Sequence, residues 1–232
     1  MRIGVPKEIK VHEYRVGMTP ASVREAVHHG HQVIVQAKAA ERIGAMDEDY
    51  RRAGATIVAT ADEVFAAAEL IVKVKEPQPE EIMRLTDRHT LFTYLHLAPD
   101  PIQTKGLLDS GCTAIAYETV TRAGGGLPLL SPMSEVAGRM AIHAGAHCLE
   151  LEQGGRGMLL GGTAGVAPAK VVVLGGGVAG VNAVRMAIGL EAFVTCIDIN
   201  IERLYALDQQ FGASVNTIFS TRTHVEEYVH DA

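Results

Sequence analysis

Short apolar runs rich in β-branched residues alternate with longer segments whose apolar residues recur every three or four positions through the first half of the chain. The runs at 3–6, 32–36, 56–59, 70–74, 90–95 and 112–117 read as strands, and the segments 20–29, 47–53, 62–68, 77–85 and 101–110 read as helices. Boundary residues agree with that reading. Thr19 stands where an N-cap belongs, Pro20 occupies the first helical position, and Gly30, Gly54 and Gly111 follow helix ends. Strands and helices in such alternation predict a largely parallel sheet covered by helices.

Residues 121–130, with three glycines and a proline, break the rhythm, and a domain boundary is expected at their end, giving domains 1–130 and 131–232. Residues 133–153 then read as one long helix. Its small residues Ala137, Gly138, Ala141, Ala144 and Gly145 suit close packing against another helix. The glycine-rich stretch 154–166 contains no lysine, which excludes a P-loop.

The apolar run 171–174 suits a parallel strand buried on both faces, and the turn follows at once. Gly175, Gly177 and Gly180 stand in G-x-G-x-x-G spacing: one for a tight turn, one for the approach of a pyrophosphate, one for close packing of helix on strand. A helix over 178–190 leads to a second apolar strand, 193–197, which ends in Asp198. An acid there accepts hydrogen bonds from the adenosine ribose and repels a 2′-phosphate, so the pattern predicts a dinucleotide site that prefers NAD to NADP. Asn200 is expected to cap a helix over 201–211, followed by a strand at 214–219 and the start of a crossover helix at 223–232. Only one mononucleotide-binding half is then in hand, which leaves a buried-type strand at an edge and suggests a fragment or truncated product. The expected fold class is α/β: two Rossmann-like domains, an N-terminal substrate domain and a truncated doubly wound NAD-binding domain.

Composition adds exclusions. A 47% hydrophobic and 21% charged chain is typical of a folded protein, and a net charge of −6 gives no reason to expect nucleic acid or an anionic membrane as partner. The N-terminus lacks the apolar core of a signal peptide and no run is long enough to span a membrane, so a cytoplasmic location is expected. Cys112, Cys148 and Cys196 are far apart and odd in number, and are expected to be reduced, buried fillers. His28, His29 and His31 gather at a helix end, where imidazoles suit exposed carbonyls better than a metal.

A substrate held against the dinucleotide calls for polar residues at strand ends of the preceding domain. Lys73 and Lys75 end one strand, His96 ends another, and Arg15 follows the first strand just before the helix cap. Arginine grips a carboxylate with two parallel hydrogen bonds, lysine adds a compact charge, and histidine passes a proton near neutral pH.

The segments EYRVGMTP, IVKVKEPQPEE, LFTYLHLAPD, AIAYETV, PLLSPMSEVAGRMA, GGRGMLLGG, VVVLGGGVAGVNA and DINIERL occur in this order, and with them the chain resembles the N-terminal two-thirds of alanine dehydrogenases over essentially all its length. Proton-translocating transhydrogenases are similar at the RVGMTP-like start and the glycine turn; PMSEVAGR followed by GGRGMLLGG resembles alanine dehydrogenases specifically. The resemblance implies reversible NAD-dependent oxidative deamination of L-alanine to pyruvate and ammonia, with little activity expected of a truncated chain. It implies carboxylate binding by Arg15 and Lys75, acid–base catalysis by His96, and NAD contacts from Ser134, Val178, Ala179, Asp198, Arg203 and Ser220. Where the family usually has threonine this chain has Val178, so only the backbone amide remains there. Glu118 falls where some members bind a divalent ion, and the family likeness suggests a homohexamer. The other readings are an NAD-binding subunit of a transhydrogenase and a non-catalytic NAD-binding module.

Overall fold

The computed structural model describes residues 1–232, which divide into two compact units, Met1–Leu127 and Pro128–Ala232. In the first, β1 (Arg2–Val5), β2 (Gln32–Gln36), β3 (Thr56–Val58), β4 (Leu70–Val72), β5 (Thr90–Thr93) and β6 (Thr113–Ala116) pair only in parallel, in the order β3-β2-β1-β4-β5-β6. The helices α1 (Pro20–His28), α2 (Asp47–Arg52), α3 (Ala61–Ala67), α4 (Pro79–Ile82) and α5 (Pro101–Ser110) lie in the connections. This is the doubly wound order, and it reverses between β1 and β4. Crossovers leave those two strands in opposite directions, so their carboxyl ends flank a crevice, the usual ligand position in an open α/β sheet.

Local chemistry sets the ends of these helices. The Thr19 hydroxyl accepts the Ser22 amide, Thr60 and Glu63 form a capping box, and the Asp100 carboxylate accepts the Gln103 amide at 2.9 Å. One helix is shorter than expected: α4 covers 79–82, not 77–85. Pro79 pushes Gln78 into extended backbone, so the helix cannot begin before Pro79. The core fills both sides of the sheet, with Val5, Val23, Val35 and Tyr50 in one cluster and Val64, Phe65, Ile71 and Leu91 in another. Each such side chain contributes on the order of 1.5–3 kcal/mol on burial.

The second unit carries α6 (Ser131–Cys148), then β7 (Lys170–Leu174), α7 (Val178–Gly189), β8 (Phe193–Asp198), α8 (Ile201–Phe211), β9 (Asn216–Phe219) and α9 (Arg222–His230), with a parallel sheet ordered β7-β8-β9. Gly138 lets α6 press on α7: a β-carbon there would run into the carbonyl of Ala179. α6 stops at Cys148 instead of reaching 153. Gly154 takes a left-handed conformation, and the amides of Gly155 and Gly157 turn back to the carbonyls of Glu150 and Leu149. All three cysteines are free, but only Cys196 is a buried filler; burial pushes its thiol up to about 11. Cys112 is half-buried and Cys148 is exposed, because Cys148 closes α6 where the helix meets solvent. No helix is long and apolar enough to cross a membrane.

Candidate functional site

The carboxyl ends of β1 and β4 hold the first group of charged side chains. Lys73 follows β4 directly and is fully buried, its ammonium 3.1 Å from Glu8 Oε2 and 2.7 Å from Glu81 Oε1. Glu8 also accepts the amide of Val74 at 2.7 Å, so one carboxylate ties the segment after β1 to the end of β4. Burial pushes the Glu8 carboxyl above its ordinary range, with Lys73 opposing that shift. Lys73 is therefore a buried member of an ion cluster, and the expectation that it faces a cleft is corrected. Two residues on, Lys75 is half-buried, and its backbone carbonyl accepts the Thr93 hydroxyl at 2.8 Å.

Arg15 lies on the same segment as Glu8. Its guanidinium donates to both oxygens of Glu13, Nε to Oε1 at 2.9 Å and Nη2 to Oε2 at 2.6 Å, and its amide donates to Oε1. The Arg15 hydrogen bond, opposed by burial, holds the Glu13 carboxyl below the usual range, with a smaller contribution from the charge of Lys75. A cavity of about 210 Å³ opens here, lined by Lys7, Glu8, Lys10, Glu13, Arg15 and Arg42 among others. Its lining is rich in cations, which suits a small anion.

His96 sits three residues beyond β5 in a left-handed conformation, φ 51°. Its imidazole lies nearly parallel to the Tyr94 ring, at 13° and 6.0 Å between centroids, and Tyr94 packs edge-on against Tyr117. Burial raises the Tyr94 hydroxyl above its ordinary range and the charge of Arg15 pulls the other way, which puts the phenol within electrostatic reach of that guanidinium. Glu13 and Arg15 after β1, Lys75 after β4, and Tyr94 and His96 after β5 thus all leave the carboxyl edge of adjacent strands.

Glu118 follows β6, and its carboxylate accepts the amides of Leu95 and His96, at 3.2 and 2.7 Å. Burial would raise this carboxyl, yet the amides of His96 and Leu95 together hold it below its ordinary range. The chain brings no group of three or more His, Cys, Asp or Glu together to hold a metal ion. The expected divalent site at Glu118 is therefore not supported: its oxygens already serve the backbone of the neighbouring strand.

In the second unit the turn after β7 is shaped for close approach. Gly175 has φ 93°, a β-carbon on Gly180 would collide with the Gly175 carbonyl, and a β-carbon on Gly177 would point into open space. No side chain caps α7, so the amides of its first turn, Val178 and Ala179 included, face outward with the positive end of the helix dipole. Asp198 accepts the amide of Gly176 at 2.6 Å through Oδ2 and that of Asn200 at 2.7 Å through Oδ1. The Asn200 amide is the main reason the carboxyl is held below its usual range. Arg203 reaches over the turn and donates from Nε to the Gly176 carbonyl. Beside them is a cavity of about 240 Å³ whose lining includes Gly175, Asp198, Ser220, Leu174, Ile199 and Val225. These residues fit a dinucleotide: an open phosphate approach, an ionised acid at the strand end, and an apolar shelf beside it. Ser134 is half-buried in the first turn of α6 and does not line that cavity.

Four neighbours escape a reading of the sequence. Glu8, Glu13 and Tyr94 gain their partners only through folding, and Gly176 was hidden inside the glycine run although a β-carbon there would press on Leu207. Spacing gave one usable hint, the acid two residues before Arg15.

Two family models match the chain: alanine dehydrogenase/PNT, N-terminal domain, over residues 4–137, and alanine dehydrogenase/PNT, C-terminal domain, over residues 141–232. An alanine dehydrogenase of Halomonas elongata is 58% identical over the whole chain and one of Mycobacterium tuberculosis 52%, the chain covering 62% of each. A solved L-alanine dehydrogenase superposes with a TM-score of 0.93 at 50% identity, covering 100% of this chain and 64% of that one. A transhydrogenase from Sinorhizobium meliloti superposes at 0.78 with 26% identity, covering 99% of this chain and 67% of that one. The chain spans about 62% of the length of the curated relatives. With both domain models matched in order over the strands and turns just described, the chain belongs to the alanine dehydrogenase/PNT family.

Proposed function

We propose that the protein this chain belongs to oxidises L-alanine with NAD, giving pyruvate and ammonia, and runs the reverse amination as well. The observation that carries the reading is that Arg15, Lys75 and His96 lie in the segments leaving the carboxyl ends of β1, β4 and β5, three adjacent strands of one sheet. Arg15 and Lys75 hold the substrate carboxylate, the guanidinium by two parallel hydrogen bonds and the ammonium as a compact charge. Glu13 keeps the Arg15 fork extended until a carboxylate shares it. His96 takes a proton from the amino nitrogen, then assists water as it adds to the imine carbon, and returns a proton to the departing ammonia. Bound NAD supplies the acceptor for the hydride that leaves Cα. Gly175, Gly177 and Gly180, with the amides of Val178 and Ala179, cradle the pyrophosphate; Asp198 accepts from the adenosine ribose, and Arg203, Ser220 and Ser134 complete the contacts.

The test is a panel of amino acids offered to the full-length protein with NAD. L-Alanine should be oxidised in preference to larger and acidic amino acids. Oxidation of another amino acid without oxidation of alanine removes the substrate assignment. Cofactor binding with no amino acid oxidised would favour a transhydrogenase-type subunit. The assembly proposed is a homohexamer, supported by family likeness and by the exposed Met83, Ile102 and Leu108 beside α4 and α5, and light scattering measures it.

A further inference from the structure

His96 is held in left-handed backbone geometry that a residue with a β-carbon rarely enters, so something nearby must stabilise it. The parallel register of β5 and β6 pairs Thr93 with Ala116 and so brings the turn that carries Glu118 beside residues 95 and 96. Two successive amides then converge on one carboxylate, His96 at 2.7 Å on Oε1 and Leu95 at 3.2 Å on both oxygens. Consecutive amides turned toward one anion form a nest, whose hydrogen bonds are about twice as strong as neutral ones. The Tyr94 ring lies against the imidazole. Backbone and ring are thus fixed by separate partners.

We propose that Glu118 is a positioning residue for His96: its carboxylate holds the left-handed turn that aims the imidazole. The inference rests on the reading of His96 as the proton-transfer group. It is tested on the full-length protein with Glu118→Ala, Glu118→Gln and His96→Ala, using alanine turnover, KM for NAD and amide hydrogen exchange. Glu118→Ala should lower kcat roughly 10- to 100-fold, as expected for a small misplacement of a reacting group, with KM for NAD within about twofold. Exchange at Leu95 and His96 should quicken at least about tenfold, while the amides of β5 keep their protection. Glu118→Gln should restore most of both, because its amide oxygen still accepts from His96. If Glu118→Ala does not fold, Glu118→Gln and Glu118→Asp carry the same comparison.

Unchanged exchange at Leu95 and His96 in Glu118→Ala overturns the proposal. So does an equal loss in Glu118→Ala and Glu118→Gln that added magnesium relieves, which would make Glu118 a metal ligand. Full turnover in His96→Ala would remove the reading beneath it, and the exchange measurement would still decide whether Glu118 holds the turn.

Discussion

The Asp198 carboxylate accepts the amide of Gly176 at 2.6 Å, so the acid at the end of β8 and the turn after β7 are one unit. Its two oxygens each serve one backbone amide and retain lone pairs for further donors. Asp198→Asn keeps the shape and one acceptor but loses the charge. Affinity for NAD should fall roughly tenfold or more, and preference over NADP should shrink, since hydrogen bonds to a charged group are worth about 1.5–3 kcal/mol. Calorimetry with the two cofactors measures it, and an unchanged preference would place discrimination elsewhere.

The same carboxyl gives a pH dependence. Its folded-state value is depressed, so its contribution is complete above the ordinary aspartate value of about 3.9 and is lost only as pH falls through the lower folded value. Binding of NAD should therefore stay flat from about pH 8 to 4 and weaken only below that. A midpoint near neutrality in a calorimetric titration would show that another group controls binding.

Gly177 and Gly180 separate two uses of glycine. At Gly180 a methyl group meets the Gly175 carbonyl, so Gly180→Ala should cost about 1–3 kcal/mol of folding stability and weaken NAD binding as well. Nothing lies within 4 Å of the β-carbon position of Gly177, and its φ of −65° suits any residue. Gly177→Ala should thus unfold within about 1 kcal/mol of wild type while NAD affinity drops, because the methyl occupies space meant for phosphate. Urea unfolding paired with calorimetry separates the two, and equal behaviour would remove the distinction.

Lys73 is the cation between two buried carboxylates. Lys73→Met strands both, and should cost on the order of 3–5 kcal/mol in denaturant unfolding. Adding Glu8→Gln and Glu81→Gln should recover part of that loss. A Lys73→Met protein as stable as wild type would mean the carboxylates are protonated or hydrated.

Strand and helix positions were legible because both sheets are parallel and built on short apolar runs, most deeply buried in β1, β2 and β4, with Thr19 and Asn200 capping helices where side-chain oxygens were expected. The dinucleotide turn was legible for the same kind of reason, since Gly175, Gly177 and Gly180 answer local steric demands. Lys73 was not. Its spacing after β4 equals that of a cleft residue, and only the folded positions of Glu8 and Glu81 turn it inward. The amide partners of Glu118 were not legible for a related reason, because they belong to another strand and amides leave no mark in a side-chain pattern. The length of α6 was overestimated because residues 149–153 keep a helix-like composition while the chain already turns at Gly154.

The most direct measurement follows NADH and pyruvate together as the full-length protein is given L-alanine and NAD. The two products should appear in equal amounts, with much less reduced cofactor when NADP replaces NAD and with turnover lost in His96→Ala while NAD binding is retained. Absence of pyruvate from L-alanine under conditions where NAD binds, or undiminished turnover in His96→Ala, would contradict the proposed function.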